Sequence, residues 1–104
     1  MKNISKFLII FILLIQPAHA DDVEEGLEAL KQGDYKTAFN KWKPIAQKGN
    51  STAQFNLGLM YDRGDGVRQN FSRAVKWYKL AAKQKNVSAQ FNLGLMYYLS
   101  LIHI

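Results

Sequence analysis

The stretch AQFNLGLMY at residues 53–61 returns unchanged at residues 89–97, an offset of 36. The same shift lays Tyr35 on Phe71, Ala38 on Ala74, Phe39 on Val75, Trp42 on Tyr78, Ala46 on Ala82 and Asn50 on Asn86. Self-similarity at a fixed period of this size is the signature of a repeat architecture, in which each unit is one supersecondary element stacked on the next. The chain therefore divides into an N-terminal helix pair (21–50, a partial or capping repeat), one complete unit (51–86) and the first helix of another (87–98).

Within the complete unit the apolar spacing is helical. Ala53, Leu57, Met60 and Tyr61 form one stripe, and Ala74, Trp77, Tyr78, Ala81 and Ala82 form a second, each at the three-and-four spacing of a helix face. Between them, DRGDGVRQN supplies Gly64 and Gly66 for backbone angles that other residues resist, then Asn70 as the N-cap of the second helix. Each unit is thus a helical hairpin. Gly58 and the three alanines let the two helices approach closely, Trp77 and Tyr78 fill the remaining space, and a large side chain at residue 58 would overpack the pair. At helical spacing the aromatic stripe reads as core and not as a ligand box.

The quoted residues resemble the Sel-one-like repeat family, relatives of the tetratricopeptide repeats. The family pattern of an alanine, Leu-Gly, a tyrosine, a Gly-x-Gly-Val loop, then Lys-Ala, Trp-Tyr and Ala-Ala is met by Ala53, Leu57, Gly58, Tyr61, Gly64, Gly66, Val67, Ala74, Trp77, Tyr78, Ala81 and Ala82. Asn70 stands where the family has Asp, and Arg73 where it has Lys. The resemblance implies an all-α solenoid of antiparallel helix hairpins, with about two repeats present, whose concave face binds proteins or peptides. Some related proteins with paired cysteines are described as penicillin-binding or β-lactamase-like; this chain has no cysteine.

Residues 1–20 carry two lysines, an apolar run from Phe7 to Ile15, Pro17, and Ala18 and Ala20 around His19. That is the pattern of a secretory signal peptide cleaved after Ala20; the run is too short to span a bilayer, so no stable membrane anchor is expected after cleavage. The expected location is the periplasm or the cell exterior. The mature chain would hold 12 basic and 8 acidic residues, with five of the acidic ones at Asp21, Asp22, Glu24, Glu25 and Glu28. The remainder is basic but dispersed, which reads as a solvated lysine-rich helix surface; it could favour anionic partners such as wall polymers, lipid headgroups or acidic protein faces, and it is not a nucleic-acid site, since no base-reading motif accompanies it.

The chemical inventory is thin. Histidine occurs only at His19 and His103, so no Ser–His–Asp or Cys–His arrangement and no ordinary zinc site can be assembled. Asp62 and Asp65 are explained by turn formation, and Arg63-Gly64-Asp65 by the glycine loop of the repeat. The sequons at Asn50, Asn70 and Asn86 fall on helix boundaries, where capping residues belong. No catalytic residue, metal or cofactor is expected. The expected function is an exported scaffold for a protein or peptide partner in the bacterial envelope or outside the cell; Gln54 and Asn56, with their copies Gln90 and Asn92, are its candidate outward-facing binding residues. The alternative is a cell-wall-related hydrolase, β-lactamase-like, using Asp62 or Asp65.

After the second copy the pattern calls for a polar glycine loop, but the chain reads YLSLIHI. Residues 99–104 resemble the translated end of a transposon adapter used in sequencing libraries and are expected to be non-native. Leu93, Met96 and Tyr97 would then lack the following helix that covers their counterparts.

Overall fold

The computed structural model describes residues 19–102. It contains helices α1 (His19–Lys31), α2 (Tyr35–Gln47), α3 (Ser51–Arg63), α4 (Phe71–Lys83) and α5 (Val87–Ile102), with no strand among the described residues. Each helix packs on its successor, so that α1 with α2 and α3 with α4 make hairpins, joined by α2 against α3 and by α4 against α5. This is the all-α solenoid that the repeat demanded. The expected leader lies outside the described residues except for His19 and Ala20, which open α1, and none of the described helices is long and apolar enough to cross a membrane.

Local chemistry sets the boundaries. The Asn50, Asn70 and Asn86 side chains accept the N–H groups of Ala53, Arg73 and Ala89 at 2.9, 3.0 and 2.9 Å, so these asparagines serve as helix caps. Asp34 does the same for α2, accepting from Thr37 N and, at 2.7 Å, from its hydroxyl; these bonds lower its carboxyl pKa, because they favour the charged form. Helix α3 ends where Gly64 turns left-handed (φ 75°) and its N–H closes on Met60 O at 2.8 Å.

The core runs through the array as two overlapping clusters. Ala29, Ala38, Trp42, Ile45, Ala46, Ala53, Leu57 and Met60 join the first hairpin to α3; Tyr61, Ala74, Tyr78, Ala81 and Ala89 join the second hairpin to α5. Phe39, Val67 and Trp77 border both. Trp42, Tyr78 and Leu57 are the largest fully buried side chains, each contributing roughly 1.5–3 kcal/mol by transfer from water. Trp77, expected beside Tyr78 in the core, is only half-buried, because it stands one position further round α4.

The second copy of the repeated nonapeptide is less covered than the first. Leu57, Met60 and Tyr61 are buried, whereas Leu93 and Met96 are half-buried and Tyr97 is exposed. Leu93 and Met96 still pack on the second cluster, so α5 is docked by one side and open on the other.

Candidate functional site

The four expected binding residues have different fates. Gln54 is the correction: it is buried, not outward-facing. Its amide nitrogen donates to Ala46 O at 3.1 Å and its oxygen accepts from Gln84 Nε2 at 3.0 Å, while Gln84 Nε2 also reaches Gly49 O at 2.7 Å. Gln54 therefore ties the end of α2 to α3 and α4. Polarity misled the sequence reading here, because a buried amide with all its partners supplied looks like a surface residue in the sequence. Gln90 repeats the first half of this joint, donating to Ala82 O at 3.2 Å, but remains exposed.

Asn92 donates to the hydroxyl of Tyr78 at 3.5 Å, and that hydroxyl donates to Asp62 Oδ2 at 3.1 Å. The chain Asn92–Tyr78–Asp62 links α5, α4 and α3. Burial pushes the Tyr78 phenol up to about 12; the Asn92 amide opposes this by favouring the phenolate, and the Asp62 carboxylate adds to it. Asn56 is the counterpart of Asn92, but the 36-residue shift puts Trp42 where the tyrosine would be. An indole offers no acceptor or hydroxyl to an amide, and the Trp42 N–H is already donated to Val23 O at 3.1 Å. Asn56 has no side-chain hydrogen bond among the described residues and stands in a hollow between α1 and α3 with Leu30, Leu59, Met60, Arg63 and Asp65.

Asn56 and Asn92 are both half-exposed, and of the four Asn56 is thus the one without a side-chain hydrogen bond among the described residues, beside apolar and charged neighbours from α1 and α3. The two aspartates of the hydrolase alternative do not converge: Asp62 lines a groove with Phe71, Val75 and Met96, and Asp65 lines the Asn56 hollow. Asp62 is also held by Tyr78. No group of three metal-ligating side chains comes together among the described residues. What the sequence reading missed is a cluster of Lys43, Arg68 and Arg73 around one cavity, drawn from α2, the glycine loop and α4; their separation along the chain leaves no linear signal.

The Sel1 repeat pattern matches residues 51–86 and 87–102, together half of the chain. A crystal structure of a Sel1 repeat protein from Oxalobacter formigenes superposes with a TM-score of 0.72 at 29% identity, covering 91% of this chain and 42% of that one. DAP3-binding cell death enhancer 1 of Rattus norvegicus is 42% identical over 50 residues, which is 48% of this chain and 10% of that protein. A sel1-like repeat-containing protein of Acanthamoeba polyphaga mimivirus is 47% identical over 38 residues, 36% of this chain and 7% of that protein. The chain spans about a tenth or less of these two relatives.

Proposed function

The chain belongs to the Sel1 repeat family, and from that membership we propose that it is an exported scaffold that binds a protein or peptide partner through the first helices of its hairpins, without chemistry of its own. The observation that carries the reading is the state of Asn56, an amide without a side-chain partner among the described residues, set in a hollow between α1 and α3 that apolar side chains line together with Arg63 and Asp65. Such a group favours a ligand with a backbone or side-chain amide, because both its donor and its acceptor are then matched. A relative whose name describes it as DAP3-binding supports a protein as the class of partner. The leader-like pattern of residues 1–20 supports export to the bacterial periplasm or beyond.

Peptide selection on the purified chain, with Asn56→Arg as the comparison, tests the binding. Ligands whose capture is lost in the variant support the hollow; selection that proceeds equally on both removes it from the reading. Expression with residues 1–20 in place and N-terminal sequencing of the periplasmic product tests export. A start at Asp21 is expected, and a cytosolic product that retains Met1 would refute it. Nitrocefin or peptidoglycan turnover abolished by Asp62→Ala with Asp65→Ala would overturn the non-catalytic reading.

A further inference from the structure

A cavity of about 510 Å³ opens between α2, the end of α3, the glycine loop and the start of α4. Lys43, Arg68 and Arg73 line it over a floor of Phe39, Tyr61 and Val67, and no carboxylate lines it. The one ion pair among the described residues, Lys41 with Glu25 at 2.8 Å, involves none of these cations. We infer that this cavity is a binding site for an acidic peptide segment, taking one carboxylate between Lys43 and Arg73 and an adjacent apolar side chain on the aromatic floor.

Lys43 and Arg73 are held in place by contacts that leave most of their donors free. Lys43 Nζ stands 5.8 Å from the Phe39 ring centroid and the Arg73 guanidinium 5.7 Å from that of Tyr61. The two rings meet edge-to-face, with centroids 5.7 Å apart and an interplanar angle of 85°, so one aromatic pair positions both charges. Arg73 spends a single donor, on the Tyr61 hydroxyl at 3.4 Å, out of the five that a guanidinium carries. Like charges gathered without a counter-charge repel one another, and an anion relieves that repulsion while accepting charge-assisted hydrogen bonds.

The floor selects among anions. A nucleic-acid strand needs a track of charge with aromatic platforms in series, longer than one cavity. A glutamate beside a phenylalanine uses both features. This assignment rests on the reading of the chain as a protein-binding scaffold, and it gives the partner an acidic character at a second place, distinct from the Asn56 hollow.

The test is an NMR titration of the isotopically labelled chain with the capped peptide Glu-Phe-Glu-Glu, with Gln-Phe-Gln-Gln and with inorganic phosphate. Shifts at residues 67–73 are expected from the acidic peptide alone among the two peptides, with weaker binding of phosphate. Arg73→Gln should weaken peptide binding about tenfold, the size of one charge-assisted contact. Asn70→Asp keeps the α4 cap, because aspartate caps as well as asparagine, and adds a negative charge to the cavity wall; it should also weaken binding about tenfold. Equal shifts from both peptides, phosphate binding as tight as peptide, or unchanged affinity in Asn70→Asp would each overturn the inference. Acidic-peptide shifts confined to the Asn56 hollow would overturn the cavity while leaving the scaffold reading intact; absence of peptide shifts anywhere, together with failed selection, would remove both.

Discussion

Tyr78 rests its ring against Gly58 so closely that a β-carbon at residue 58 would stand 2.5 Å from Tyr78 Cε1. The preceding hairpin repeats the relationship, with Gly26 against Trp42 and a corresponding distance of 2.5 Å to Cε2. Gly94, in the second copy of the nonapeptide, has nothing within 4 Å. One glycine position therefore has two environments in one chain.

Gly58→Ala and Gly94→Ala should change stability in opposite directions. At residue 58 the methyl group must displace the Tyr78 ring, a rigid aromatic, at an overpacking cost of about 1–3 kcal/mol that a helix-propensity gain of about 1 kcal/mol only partly offsets. At residue 94 only the propensity gain operates, so the chain should gain up to about 1 kcal/mol. Urea denaturation of the two variants beside the parent reads both signs, and a destabilised Gly94→Ala would contradict the open environment.

The two glutamines should separate in the same way. Gln54→Ala removes a buried amide and both of its bonds, although Ala46 O keeps the Gly49 N–H and Gln84 keeps Gly49 O, and should cost about 0.5–1.5 kcal/mol. Gln90→Ala removes an exposed bond and should cost no more than about 0.5 kcal/mol. Equal denaturation midpoints for the two variants would mean that the Gln54 joint contributes nothing.

Lys85 occupies a left-handed conformation (φ 65°) where the preceding unit has Gly49 (φ 107°). A left-handed residue with a β-carbon costs roughly 1–2 kcal/mol, and glycine's greater freedom in the unfolded chain returns part of that. Lys85→Gly should therefore stabilise the chain by about 0.5–1 kcal/mol. A fall in thermal midpoint would show that the Lys85 side chain makes a compensating contact.

The phenol of Tyr78 predicts alkaline behaviour. Its folded pKa is raised to about 12, above the ordinary value of 10.0, so the folded state holds the proton more tightly than the unfolded chain. The stabilisation is complete below the unfolded pKa and is lost as pH rises through the folded one, a window from about 10 to about 12. Urea midpoints measured across that window should fall more steeply in the parent than in Tyr78→Phe, which has no proton to lose. Parallel slopes would detach Tyr78 from the alkaline transition.

Much of the architecture was legible in the sequence because the forces that set it are local. The helical stripes, the glycine loop and the asparagine caps each involve residues within a turn or two of one another, the 36-residue period shows that they recur, and the structure has Asn50, Asn70 and Asn86 in the capping role their positions implied. Gln54 was misread for the opposite reason. Its partner Gln84 lies 30 residues away, at the C-cap of α4, and nothing in QFN at residues 54–56 distinguishes a glutamine that closes a joint from one that meets solvent.

The sequence by itself determined that this protein is a stack of helical hairpins, where each hairpin turns, and which family it joins. That the second copy of the nonapeptide is the less covered one was also legible in the sequence; only the tertiary structure decided how far each residue is uncovered. Leu57 and Tyr61 are 0% and 7% exposed, while Leu93 is half-buried and Tyr97 is 48% exposed. The Lys43, Arg68 and Arg73 cluster was likewise decided by folding, since α2, the glycine loop and α4 meet only when two hairpins stack. Helix formation and capping are governed by neighbours along the chain, whereas burial and charge clustering are governed by neighbours in space, and those depend on what packs against each repeat.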